Sequence, residues 1–96
     1  MTSGSVRLTA DGLVGGSGKA IRVYSAVMQS GSGGAGELVL RDGTTASGTI
    51  YVQEAGTAAS KTKTYNFCGG LTFPNGCFFD KDTNTDAVVV NYEQIS

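Results

Sequence analysis

The amino-acid sequence predicts an all-β protein, a single-domain antiparallel β-sandwich with a jelly-roll-like arrangement of strands. Three observations lead to this fold class. The chain has 15 glycines and one proline in 96 residues, which favours tight turns over helices. Its apolar residues alternate with polar ones in short runs, as they do in half-buried strands. No segment repeats apolar residues with the 3.6-residue period of an amphipathic helix.

Eight short strands fit these patterns, and such a number at this spacing is typical of sandwiches and jelly rolls. We expect them at residues 6–8, 19–28, 37–41, 49–54, 62–67, 71–73, 77–79 and 87–92. Turn-forming dipeptides such as Asp42-Gly43 and Asn75-Gly76 separate the strands, because glycine tolerates the positive φ of tight turns. Residues 64–92, where runs and turns alternate most regularly, are predicted to form a β-meander.

Alternation with period two also predicts which side chains form the core, since successive strand residues point to opposite faces. The predicted core comprises Leu38, Leu40, Ile50, Val52, Tyr65, Phe67, Leu71, Phe73, Val88, Val90 and Tyr92. The segment 19–28 is apolar on both faces, with Val27 on one side and Ala26 and Met28 on the other. We therefore expect this strand to be central or covered by a partner subunit.

Two polar segments are predicted to make contacts. Residues 1–5 are small or polar and predict a flexible N-terminal arm ahead of one β-sandwich domain at residues 6–96, so that deleting the arm leaves the fold intact. The glycine-rich loop at residues 31–36 is predicted to be mobile; the alternative is an ordinary solvated hairpin loop. The candidate interface residues are Met1, Thr2, Ser3, Gly4, Ser5, Arg7, Gly33 and Gly34.

Composition argues against several classes of function. The formal net charge is −1 and the seven Lys and Arg residues are scattered, so we expect no nucleic-acid partner. The sequence has no apolar run near the ~20 residues of a membrane span and no signal-type segment, so we expect no membrane partner and synthesis in the cytoplasm. With no histidine and no nucleophile motif, we expect neither an enzyme nor a cofactor.

Residues 80–86 are a candidate calcium site. Asp80, Asp82, Asn84 and Asp86 alternate as oxygen ligands do at the start of an EF-hand loop, but the sixth position, which requires glycine, is Thr85. The favoured interpretation is that these residues cap their own backbone in a strand connection, which leaves no metal site.

Cys68 and Cys77 are predicted to be free thiols. If residues 73–76 form a hairpin turn, Cys77 pairs with Thr72, and Cys68 lies about 13 Å along the partner strand, too far for a disulfide.

Three stretches resemble a group of small virion proteins of tailed bacteriophages. They are an aliphatic strand ending in Arg41-Asp42-Gly43, a strand opening Gly48-Thr49-Ile50, and a Phe-x-x-Gly-Leu-x-Phe-x-x-Gly signature from Phe67 to Gly76. The resemblance covers residues 19–92. It implies a jelly-roll-like capsid decoration (cement) protein, a structural protein on the capsid surface of the virion that trimerises and staples the shell of major capsid protein.

Two alternatives remain open from the sequence. The first is a β-module of the phage tail or tail tip. The second is a small carbohydrate-binding β-sandwich, for which exposed aromatic rings would be the signal. The candidate ring platforms are Tyr24, Tyr51, Tyr65 and Tyr92.

Overall fold

The chain forms β-strands joined by turns and loops. A computed structural model describes residues 2–95 and contains no helix among them. The strands are β1 (Thr2–Leu8), β2 (Gly12–Val14), β3 (Ile21–Ser30), β4 (Glu37–Asp42), β5 (Thr49–Ala55), β6 (Thr62–Phe73), β7 (Cys77–Phe79) and β8 (Thr85–Gln94).

The strands form two four-stranded antiparallel sheets. Sheet 1 has the order β1-β8-β3-β6 and sheet 2 has the order β2-β7-β4-β5. The apolar faces of both sheets contribute to one buried cluster. The prediction of an all-β fold with antiparallel sheets is confirmed, and the arrangement is that expected of a β-sandwich. The strand 19–28, predicted to be central, corresponds to β3, which lies between β8 and β6.

The predicted meander is wrong. β6 lies in sheet 1, β7 in sheet 2, and β8 in sheet 1 again. The turn after Phe73, closed by the Gly76 amide donating to the Phe73 carbonyl at 3.5 Å, therefore carries the chain from one sheet to the other. Cys77 pairs with Val14 and Asp42 rather than with Thr72. Turn chemistry alone does not distinguish a hairpin from such a corner.

Some strand predictions need further correction. The predicted strands 62–67 and 71–73 form one strand, β6, interrupted by an irregularity at Gly69 and Gly70, which have φ of 82° and 92°. β2 was not predicted, because its three residues lie in a glycine-rich segment.

The predicted flexible arm is wrong for Thr2 to Ser5. These residues belong to β1 and pair with β8 from Gln94 back to Asn91. The folded domain therefore starts before residue 6, and removing residues 1–5 would take away half of an edge strand. Met1 lies outside the described residues.

Most of the predicted core is buried. Leu38, Leu40, Val52, Tyr65, Phe73, Val88 and Val90 belong to the buried cluster, and Phe67, Leu71 and Tyr92 pack against it while partly exposed. The prediction that Ile50 belongs to the core is wrong, because Ile50 is 40% exposed. The register shifts between Leu40 and Arg41, which leaves Tyr51 as an extra residue and turns Ile50 to the outer face beside Arg41.

A second register shift, in β3, changes which residues of that strand face the core. The shift between Val23 and Ser25 makes Tyr24 an extra residue relative to β8. Beyond this bulge Ala26 and Met28 point into the core, while Val27 lies on the outer face and is half-buried.

Candidate functional site

The sheets end in four edge strands, which are the places where a β-sandwich most readily accepts another chain. Sheet 1 ends in β1 and β6, and sheet 2 ends in β2 and β5. An edge strand has backbone N–H and C=O groups without a partner strand, and proteins protect such edges with charges, bulges or short length.

Three of the edges carry such protection. β2 has only three residues. β1 presents the exposed cationic side chain of Arg7. β6 is interrupted by the irregular segment at Gly69 and Gly70, where both residues have positive φ. A flat pairing of a second chain along these strands is therefore disfavoured.

β5 contains a bulge and one charged residue, but it is the edge strand that exposes large hydrophobic side chains. Its sequence, Thr-Ile-Tyr-Val-Gln-Glu-Ala, has neither lysine nor proline and consists largely of good strand formers, and only Val52 is buried. Ile50 and Tyr51 are 40% and 41% exposed, and they are two of the three exposed large hydrophobic residues of the described chain. The bulge in β5 therefore brings apolar side chains to the edge, next to a single charged residue, Glu54.

The inner side of β5 is held in place by β6. The Tyr65 hydroxyl and the Lys63 Nζ both donate to the Ala55 carbonyl, at 2.9 Å and 3.2 Å. The Tyr51 ring stacks on Phe73 with centroids 5.2 Å apart. Burial, and secondly the charge of Glu54, raise the pKa of Tyr65, so its hydroxyl keeps the proton that it donates. β5 is thus a fixed strand, and ordering it on binding requires little entropy.

An open groove of about 280 Å³ flanks β5 on the outer face of sheet 2. It is lined by Glu37, Val39, Arg41, Ile50, Gln53, Asp80, Lys81, Asp82 and Thr83. Arg41 donates to Asp80 Oδ2 and to the Gly48 carbonyl, both at 2.9 Å. Gln53 donates to Glu37 at 3.1 Å. These internal contacts hold the surface next to β5 together, and they join β4 to the loop that leads into β8.

The four residues of the candidate calcium site make interactions within the protein that do not gather them around one point. Asp80 forms an ion pair with Arg41. Asp82 Oδ2 accepts a hydrogen bond from the backbone N–H of Asn84 at 3.0 Å. The Asp86 carboxylate lies beside Gly31. Among residues 2–95 no group of three or more His, Cys, Asp or Glu side chains could hold a metal ion. The backbone-capping interpretation fits Asp82.

The predicted interface residues fall in two separate places. Ser3, Ser5 and Arg7 are exposed and lie opposite Glu93, Asn91 and Val89. Gly4 lies against the ring of Tyr92, and Thr2 pairs with Gln94. These residues extend the outer face and edge of sheet 1.

Gly33 and Gly34 lie in the loop that joins β3 to β4, next to the side chain of Asn84. The ends of this loop are tied down, since the Gly31 amide donates to the Asn84 carbonyl at 2.7 Å and the Gly36 amide to Ser30 Oγ at 3.1 Å. Both loop ends are therefore anchored, although Gly33 at the tip is exposed.

Both cysteines are free, with Cys68 exposed on β6 and Cys77 buried in the core. Burial, and secondly the charge of Asp42, raise the pKa of Cys77 to about 12. Cys77 is therefore a packing residue and a poor nucleophile.

Within residues 2–95 no helix is long and apolar enough to cross a membrane. No protein-family model, curated protein or solved structure is significantly similar to this chain. The β5 edge could not be predicted from the sequence, because strand order decides which strand is an edge and no local sequence pattern encodes strand order.

Proposed function

We propose that this protein is a structural virion protein of a tailed phage, a capsid decoration or cement protein that binds and stabilises the shell of major capsid protein. The observation that carries the proposal is the β5 edge, with Ile50 and Tyr51 exposed on a strand that β6 holds in place. The signature from Phe67 to Gly76 and its resemblance to phage virion proteins supply the biological setting.

In this proposal the β5 edge contacts the shell through strand addition or apolar packing. Main-chain hydrogen bonds to an edge strand provide affinity, and pockets for alternate side chains provide specificity. The groove beside Ile50 and Gln53 is placed to receive such side chains. In this proposal Thr2 to Ser5, which pair with β8, do not serve as a connecting arm.

The small size of the domain favours a trimer in this proposal. A standard interface buries about 800 Å² on each partner, and the described structure has an accessible surface of 4713 Å². A single contact of ordinary size would take about a sixth of that surface. Three copies around an axis, each engaging a different shell subunit, gain avidity without large individual contacts.

The test is co-sedimentation with purified shells of the major capsid protein encoded in the same genome. Ile50→Lys adds a charge to the exposed β5 edge and should weaken shell binding at least tenfold with little change in stability. The matched control is Thr64→Lys, at an exposed position of β6, which should bind as the unmodified protein does.

Three results would count against the proposal. In the first, the Ile50→Lys protein binds shells as well as the unmodified protein. In the second, cryo-electron microscopy of the virion finds the chain only at the tail, which supports the tail-module alternative. In the third, the chain is present in a few copies per particle instead of the hundreds that a decoration protein requires.

A further inference from the structure

The structure separates the four tyrosines into different environments. Tyr65 is buried, and Tyr92 is half-buried against Gly4. Tyr51 is exposed but stacks on Phe73 at the rim between the sheets. Tyr24, 39% exposed, lies on the outer face of sheet 1. It is the tyrosine that presents an aromatic ring on an open sheet surface.

One hydrogen bond joins Tyr24 to β8, and its ring lies close to β6. On the β8 side, its hydroxyl donates to Glu93 Oε1 at 3.0 Å. On the β6 side, a β-carbon added at Gly70 would lie 3.2 Å from Tyr24 Cε1 and 2.5 Å from Arg22 Cγ. The Tyr24 ring therefore lies close to Glu93 of β8 and to Gly70 of β6, and the residue is 39% exposed to solvent.

A row of neutral hydrogen-bonding groups lies beside Tyr24 on the same face of the sheet. The pairing of the strands places Ser5, Asn91, Ser25 and Asn66 in one row across all four strands of sheet 1. Asn91 Nδ2 donates to Ser25 Oγ at 2.8 Å, which fixes the amide and leaves its carbonyl oxygen available to a ligand. The row therefore offers both donors and acceptors next to the ring.

The charges nearest to the ring balance each other. Glu93 accepts the Tyr24 hydroxyl and lies 3.7 Å from the guanidinium of Arg22, which also donates to Thr72 at 3.4 Å. A ligand on this surface meets a ring, amides, hydroxyls and a neutralised ion pair. That combination is complementary to an uncharged, polyhydroxylated molecule, and the exposed charge of Arg7 lies two strands away on β1.

We propose that the outer face of sheet 1 around Tyr24 binds neutral polysaccharide. The C–H face of a hexopyranose stacks on the exposed face of the ring, and its hydroxyl groups bond to the amides of Asn66 and Asn91. The fixed ring loses little conformational freedom on binding. This activity is independent of shell binding, since the surface belongs to sheet 1 and β5 belongs to sheet 2.

The test is electrophoresis of the native protein in gels containing dextran, mannan or laminarin, with the acidic polymer alginate for comparison. At least one neutral polymer should retard the protein. Tyr24→Ala should weaken that binding at least tenfold, and Tyr24→Phe, which keeps the ring but loses the bond to Glu93, about twofold to fivefold. Tyr51→Ala is the matched control, because Tyr51 is equally exposed on the other sheet, and it should bind normally.

The proposal is overturned if none of the three neutral polymers retards the protein, or if alginate alone does so. It is also overturned if Tyr51→Ala weakens binding as much as Tyr24→Ala. Analytical ultracentrifugation tests the other occupant of this surface: if Tyr24→Ala dissociates an oligomer of the unmodified protein, a second copy covers the ring and the site is an interface.

Discussion

β5 and β6 are edge strands of opposite sheets that lie along the same side of the molecule, and they differ in what they present to solvent. β6 has 12 residues, places Phe73 and Tyr65 in the core, and is broken by Gly69 and Gly70. β5 has seven residues, buries one of them, and exposes Ile50 and Tyr51. β6 thus stabilises the sandwich and is a poor template for pairing, whereas β5 contributes less to the core and is the better template.

The largest expected effect tests the role of β6 in the core. Phe73 is fully buried, so Phe73→Ala should lower the free energy of unfolding by about 3 to 5 kcal/mol. Its stacking partner on β5 is 41% exposed, so Tyr51→Ala should cost only about 1 kcal/mol. Urea unfolding of both variants checks the difference, and equal losses would mean that the two strands share the core equally.

The irregular segment of β6 gives a smaller and more specific effect. Gly69 and Gly70 both have positive φ, but a β-carbon at Gly69 has open space, while one at Gly70 meets the Arg22 stem. Gly69→Ala should cost about 1 kcal/mol from backbone strain, and Gly70→Ala about 2 to 3 kcal/mol. Thermal unfolding measures both changes, and the account of this segment fails if Gly69→Ala is the more damaging.

The last expected effect on stability, about as small as those of Tyr51→Ala and Gly69→Ala, concerns a hydrogen bond between the two edges. Tyr65→Phe removes the hydroxyl that donates to the Ala55 carbonyl. It should lower the free energy of unfolding by about 1 kcal/mol at neutral pH, because Lys63 still donates to that carbonyl. The folded pKa of Tyr65 is raised above its ordinary value of 10.0, so the unfolded chain loses this proton first. The Tyr65 contribution is therefore complete below pH 10 and declines above it.

Urea titrations at pH 7 and above pH 10 check this sign. The stability difference between the unmodified protein and Tyr65→Phe should shrink as the pH rises. A difference that stays constant or grows would contradict a proton held on Tyr65 in the folded state.

Local patterns in the sequence predicted the strands well but not their partners. β7 lies where alternation and turns placed it, at Cys77–Phe79, and Phe73 is in the core as predicted. Ile50 was assigned to the wrong face because a bulge depends on the register of the paired strand. The turn at residues 73–76 has the same local chemistry in a hairpin and in a corner between sheets, so it could not reveal that β6 and β7 separate.

The candidate site, too, could be predicted from the sequence only in part. The sequence shows that 49–54 is a strand of good strand formers, but whether it is an edge depends on the order of all four strands in sheet 2. Likewise, the sequence named Tyr24 as one of four possible ring platforms. Only the structure shows that its ring lies near Gly70 on one neighbouring strand and that its hydroxyl bonds to Glu93 on the other.

The central claim is that β5, and not β6, is the edge that another chain covers. Hydrogen–deuterium exchange of the protein, free and bound to purified capsid shells, tests it most directly. We expect the β5 amides that are not bonded to β4 to exchange readily in the free protein and to become protected in the complex, while those on the free edge of β6 change little. Protection that appears in β6 with β5 unchanged would contradict the account.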